Sequence, residues 1–203
     1  MIKIEEVKNN SDLKKFVKFP FKLYKDSKYW VPPIISEEIN IFNSDINPAL
    51  KNANVSLYIA IIDNEIVGRI AAIINSIEVN EQKTKKIRFG WFDVIDDLNV
   101  TKKLIDKVIE IGKANNLEYM EGPMGFSNLD KVGVLTYGFD KIGTMVTWYN
   151  HPYYSSHFKK LNFTVEKKYS EKTFSFQNID IDYYFRMSKI IQRRYDFKAV
   201  NFN

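Results

Sequence analysis

Apolar and polar positions change period several times along this chain. Leu57-Tyr58-Ile59-Ala60-Ile61-Ile62 is an unbroken apolar run of strand length, and Ile66 to Asn75, IVGRIAAIIN, is a second. Only Asp63-Asn64-Glu65 separates them, which predicts a β-hairpin. A polar loop with Lys83, Lys85 and Lys86 precedes a third strand over Ile87–Ile95. From Asn99 to Asn115 the pattern turns helical: Val100, Leu104, Val108 and Ile111 form one stripe, flanked by Ile105 and Ile109. Asp96, Asp97 and Asn99 give that helix an acidic, capping-competent start, and Asn115-Asn116 ends it. Glu118 to Gly122 is a short strand closed by Pro123.

The flanks are less regular. Ile2 and Ile4 alternate with Lys3 and Glu5 as a short strand. Ser11 is a candidate N-cap for a helix with Leu13, Phe16 and Val17 on one face, which Pro20 ends or kinks. Short helices are expected over 21–27 and 34–42, around the breaker Trp30-Val31-Pro32-Pro33, with a loop over 43–54. Downstream, the pattern predicts a helix over 128–136, a strand from Met145 to Tyr149 and a helix from Pro152 to Leu161. A last alternating strand is expected from Lys167 to Phe176. Three antiparallel strands followed by alternating α and β elements make a mixed α/β fold.

Composition narrows the chemistry. The 203 residues, 45% apolar and 15% aromatic, suffice for one core without staples. No cysteine exists, so disulfide, thiolate-metal and cysteine-nucleophile chemistry are excluded. His151 and His157 are the only histidines, too few for a histidine-rich metal site, and no metal is expected. Neither lies in a Ser/Asp pattern that suggests a triad. The apolar runs are shorter than the ~18 residues of a membrane helix, and MIKIEEVKNN lacks the apolar stretch of a signal peptide. A cytoplasmic protein is expected. The net charge is +5, from 30 Lys+Arg against 25 Asp+Glu. Only Arg69, Arg88, Arg186, Arg193 and Arg194 offer guanidinium forks, and acids are interspersed, so no nucleic-acid partner is expected.

The order of elements, with three local sequences, resembles the acyl-CoA N-acyltransferase fold of the GNAT superfamily. The hairpin AIIDNEIVGRIAAIIN, Ala60 to Asn75, is similar to its paired second and third strands. Ile87 to Asn115 occupies the place of its central strand–helix motif, and YNHPYYSSHFKKLNF, Tyr149 to Phe163, is similar to its closing pattern. FVKFPFKLYKDSKYWVPP, NPAL, FGWFDVIDD and MEGPMGFSNLDKVGVL further resemble a bacterial family of tandem GNAT-like proteins of undefined substrate. The resemblance implies a GNAT-like domain over 1–177 and a bridging helix near Asp180–Tyr195. It also implies that 197–203 opens a second GNAT-like half, the 203 residues then being a fragment or shortened member. It implies acetyl-CoA or another acyl-CoA as cofactor, bound here or by the second half. The implied partners are a small-molecule amine and that second half, or a second copy in a homodimer.

Set against the residues, those implications divide. Strand backbone for a pantetheine arm falls on Phe92, Asp93 and Val94, which read equally as ordinary sheet. Amides for a pyrophosphate fall on Asn99, Val100 and Thr101 at the helix start. Yet Ile95 to Thr101 holds no glycine where the superfamily has Arg/Gln-x-x-Gly-x-Gly/Ala, and Asp96 and Asp97 set carboxylates where a polyanion would land. A like-charge contact at ~4 Å costs on the order of 1 kcal/mol in water. Both acids read as helix caps, and weak CoA binding is predicted for this chain alone.

The superfamily pattern Tyr-x-x-Leu-Gly-Phe puts Phe158 at its tyrosine, where no proton is available. Tyr154, one turn earlier on the same face, is the candidate acid, and packing is its alternative. Tyr153 is expected to point roughly 100° away. Asp93, or Glu121 on the next strand, is the candidate base, and a solvated or capping acid is the alternative. Ser127 and Asn128, past a strand end, are candidate ligand contacts or a helix cap. Two functions stand: an acyl-CoA-dependent N-acyltransferase, whole or as its non-catalytic half, and a degenerate GNAT-fold scaffold or recognition module.

Overall fold

The computed structural model describes residues 1–127, 130–144, 147–198 and 200. It divides into two units, Met1–Thr164 and Val165–Asn203.

The first unit is built on one five-stranded sheet in the order β1 (Lys3–Glu6), β2 (Ala53–Ile62), β3 (Glu65–Asn75), β4 (Lys86–Val94) and β5 (Tyr119–Glu121). β1 through β4 run antiparallel and β5 joins parallel to β4. The alternation of a strand sends its side chains to two cores. Tyr58, Ala60, Ile70, Phe89 and Phe92 face α3 (Leu98–Ala114) and α4 (Tyr153–Lys160). Leu57, Ile59, Ala71, Ile73 and Trp91 face the helix α1 (Asn10–Leu23), through Phe16 and Val17. Of the stripe and flanks expected on α3, Ile109 is exposed and Ile111 half-buried, while Val100, Leu104, Val108 and the flanking Ile105 lie at 3% exposure or less. Each contributes about 1.5–3 kcal/mol of apolar burial.

β4 departs from a regular ladder on both of its edges. Its pairing with β3 steps from Asp93↔Arg69 to Gly90↔Ala71, so β4 carries one extra residue there. Trp91 takes it up with φ 43°, a conformation costly for an aromatic side chain. On the other edge the β5 ladder covers only Lys86–Arg88, after which the Met124 amide bonds the Phe89 carbonyl at 2.8 Å. Gly90 permits that close approach, because a Cβ there would collide with the Met124 carbonyl.

Several sequence expectations are corrected. α1 starts one residue earlier than its predicted N-cap: Asn9, not Ser11, caps it by accepting from the Asp12 amide at 3.0 Å. It runs through Pro20 without ending and takes in only Phe21–Leu23 of the helix expected over 21–27. The helix over 34–42 is the shorter α2, Ile35–Asn40. The 43–54 loop contains a 3₁₀ turn, Pro48–Lys51, capped by Asn47. The lysine-bearing loop before β4 begins with a π-helical turn, Ile77–Glu81. Residues 130–136 are not helical; Val132 instead makes an isolated bridge to Thr147. Met145 and Val146 of the expected strand lie outside the described residues, and Trp148-Tyr149 are in no strand.

In the second unit, Lys167 to Phe176 forms no strand and is exposed throughout. Alternation alone does not make a strand without a partner edge for its N–H and C=O groups. The expected helix is present as α5, Ile181–Tyr195, with Asp180 accepting from the Tyr183 amide at 2.9 Å. Of the expected strand 197–203, residues 199 and 201–203 lie outside the described residues, and Phe197, Lys198 and Val200 are in no strand. Among the described residues no helix is long and apolar enough to cross a membrane.

Candidate functional site

The distal end of β4 gathers charge that its apolar neighbours would forbid if it were unpaired. Arg69 interrupts an apolar strand, and Asp93 stands directly across from it on β4. Both are at 3% exposure or less. The Arg69 Nε and Nη2 atoms each lie 2.7 Å from Asp93 Oδ2. Asp93 is therefore neither solvated nor a helix cap, and a buried carboxylate here requires that partner.

The same guanidinium explains the proline inside α1. Pro20 has no N–H to give the Phe16 carbonyl four residues back. Arg69 Nη1 donates to that carbonyl instead, at 3.1 Å. The helix thereby continues past Pro20 and delivers its C-cap residue, Tyr24, over the strand end. Tyr24 donates its hydroxyl proton to Asp93 Oδ1 at 2.7 Å. Its oxygen is 3.0 Å from that of Tyr154. With the Tyr24 proton spent on the carboxylate, Tyr154 is the donor of that second bond. The Tyr154 oxygen in turn accepts from the Val94 amide at 2.9 Å. A continuous chain thus runs from Val94 through Tyr154 and Tyr24 to the Asp93–Arg69 pair.

Tyr153 does not point away as expected. Its hydroxyl donates to the Val94 carbonyl at 2.6 Å. Its ring stacks on His151, with centroids 5.4 Å apart and planes at 22°. Both groups of the Val94 peptide edge are consequently occupied by hydroxyls from the first turn of α4. Burial, and then the Asp93 charge, pushes the Tyr24 and Tyr154 hydroxyls well above the usual tyrosine range. Burial also raises Tyr153, with the Asp96 charge second. Tyr154 shares a face with Phe158 as expected, both packing on Phe92 at 5.5 and 5.3 Å between centroids. The Tyr154 hydroxyl is buried, with Tyr24 and the Val94 amide as its partners.

The turn from β4 to α3 holds the candidate pyrophosphate amides, Asn99, Val100 and Thr101. Asp97 caps α3: its carboxylate accepts from the Asn99 amide at 2.8 Å and its carbonyl from the Thr101 amide at 3.1 Å. Val100 is fully buried in the α3 core. Asp96 does not cap; it accepts from, or pairs with, His157 Nε2 at 3.1 Å. His157 Nδ1 meets the Thr101 hydroxyl at 2.8 Å. Contrary to the sequence reading, a hydroxyl–imidazole–carboxylate row does exist. Thr101 has no exposure, however, so it offers no nucleophile and the row ties α4 to α3. Acyl-CoA, the cofactor this fold implies, does not fit here as the residues stand. The strand edge is taken by two tyrosines, and the helix start carries its own carboxylate.

Ser127, at the strand end, gives its amide to Asp130 Oδ2 at 2.7 Å, and no helix follows it among the described residues. Asn128 lies outside the described residues. Glu121 pairs with Lys86 at 2.7 Å. Tyr24 and Arg69 escaped the sequence reading. A lone arginine in IVGRIAAIIN and a lone aspartate in FGWFDV were the available signal, since a charge in a buried strand demands a partner. No pattern marks Tyr24.

No family model matches the chain. It is 30% identical over 155 residues to Protein YghO of Escherichia coli, which covers 76% of this chain and 40% of that protein. It is 30% identical over 137 residues to a bacterial ceramide synthase of Caulobacter vibrioides, covering 66% and 35%. The chain thus spans well under half the length of both relatives. Among solved structures, an aminoglycoside acetyltransferase from a soil metagenome, in complex with sisomicin, superposes with a TM-score of 0.51 at 16% identity, over 86% of this chain and 95% of that one. A "predicted acetyltransferase" of Clostridium acetobutylicum, crystallised with acetyl-CoA, gives 0.51 at 14% identity, over 85% and 96%. Mixed sheet, bulged β4 and flanking helices together have the fold of the GNAT acetyltransferases.

Proposed function

We propose that this chain serves acyl transfer from a thioester to an amine, as a GNAT-fold recognition module that does not itself hold the thioester at its β4–α3 turn. One observation carries the second clause: the Val94 N–H and C=O are both bonded to side chains of the same molecule, Tyr154 and Tyr153. The fold supports the first clause, as do the names of a ceramide synthase and an aminoglycoside acetyltransferase among the similar proteins. In this reading the acyl donor is held by another part of the assembly, a second GNAT-like half. The Asp93–Arg69–Tyr24–Tyr154 chain is then the brace that keeps the strand end closed.

Calorimetric titration of the chain with acetyl-CoA tests the proposal. The expected outcome is no heat beyond dilution with protein at tens of micromolar. A sub-micromolar Kd would overturn it, because the thioester would then be held by this chain, its phosphates at a basic site such as Lys102, Lys103 or Lys131.

A further inference from the structure

A second feature lies beyond Trp91, on the face of the sheet that packs against α1. A cavity of about 200 Å³ opens there, lined by Glu38, Trp91, Gly125, Asp130, Lys131 and Trp148 among others. Counting roughly 30 Å³ per water-sized unit, it has room for a group of about six heavy atoms.

Its charges are unbalanced. Glu38, on α2, is only 7% exposed. Among the described residues its carboxylate accepts one hydrogen bond, from the neutral indole Nε1 of Trp91 at 3.0 Å. Among the same residues no Lys or Arg nitrogen lies within ion-pair distance of it. A carboxylate nine-tenths buried against a cavity, with no cation of its own, gains most from a cation placed in that cavity. Asp130 adds a second carboxylate to the wall, with one oxygen held by the Ser127 amide. Lys131 is the cavity's cation, and its Nζ lies 4.9 Å from the centre of the Trp148 ring. Two carboxylates against one ammonium leave the lining net negative. Two indoles supply apolar walls whose faces favour positive charge.

We infer that this cavity is a binding site for a small ammonium-bearing group, with its charge against Glu38 and its carbon atoms between Trp91 and Trp148. Within the acyl-transfer reading, on which the identity of this ligand rests, the group is the amine end of the acyl acceptor. The site itself is independent of where the thioester is held.

The test is a tryptophan-fluorescence titration of the full chain, in 0.15 M salt, with n-propylammonium and with its neutral counterpart 1-propanol. Four heavy atoms set the expected scale, half-saturation at ~1–10 mM. The expected result is a saturable change with the ammonium and at least tenfold weaker response to the alcohol. Glu38→Gln keeps an acceptor for the Trp91 indole and removes the charge; it should raise half-saturation at least tenfold with an unchanged far-UV circular dichroism spectrum. Should that variant unfold, Trp148→Leu removes an aromatic wall and should weaken the ammonium response alone. Equal responses to amine and alcohol would overturn the inference, as would unaltered ammonium binding in folded Glu38→Gln or Trp148→Leu protein. Tight acetyl-CoA binding would sink the recognition-module proposal while leaving this result readable on its own.

Discussion

Arg69 ties together three groups at the strand end. It neutralises Asp93, caps the carbonyl that Pro20 leaves free, and places its guanidinium 5.0 Å from the centre of the Phe16 ring. Removing one member of such a buried pair leaves the other charged and unpaired, which costs about 3–5 kcal/mol. Asp93→Asn should therefore lower the unfolding free energy by roughly that amount in urea denaturation. Replacing both, as Arg69→Met with Asp93→Leu, should cost clearly less than the two single changes summed, since no unpaired charge remains. Part of this was legible beforehand: each charge is conspicuous in its apolar run. What the sequence could not convey was register. One extra residue in β4, absorbed at Trp91, decides that Asp93 rather than a neighbour faces Arg69.

At the level of elements, the long periodic pieces were legible and the short irregular ones were not. The β2–β3 hairpin and α3 carry many apolar positions in one period, so each is over-determined by its own side chains. α1 illustrates the opposite case. Pro20 is a breaker by local rules, and only a guanidinium from β3, far away in sequence, overrules it. The run of chain beside β4 past the β5 ladder likewise depends on contacts between segments. Gly90 is a sensitive point of that contact, because the Met124 carbonyl occupies the space a side chain would need. Gly90→Ala should cost about 1–3 kcal/mol through displaced backbone, read as a lower midpoint in thermal or urea unfolding. Such a change at Gly133, where a Cβ meets nothing within 4 Å, would report only the strain of its positive φ.

For the molecule as a whole, the buried tyrosines set an alkaline limit. The folded-state pKa values of Tyr24 and Tyr154 lie above that of an unfolded tyrosine, about 10. Their stabilising share is complete below pH 10 and declines as pH rises from there toward the folded values. Two such groups give a loss approaching 2–3 kcal/mol per pH unit. Urea midpoints between pH 9 and 11 should fall steeply, and less steeply in a Tyr24→Phe/Tyr154→Phe double variant. This network was the least legible part of the site, because it joins residues 24, 69, 93 and 154 through four separate elements. Sequence periodicity reports which way a side chain faces and says nothing about which distant hydroxyl it meets.

The tyrosines of α4 also give the Val94 edge a time scale. A molecule that needs that residue's N–H and C=O cannot take them on arrival; it must wait until two hydroxyls have left. Its capture rate would climb with concentration while encounter is slow, and then level off at the rate at which the first turn of α4 lifts. Closure of this kind works as a clock more than as a lock: the strand end answers to the motion of one short helix, whatever the abundance of what is offered to it.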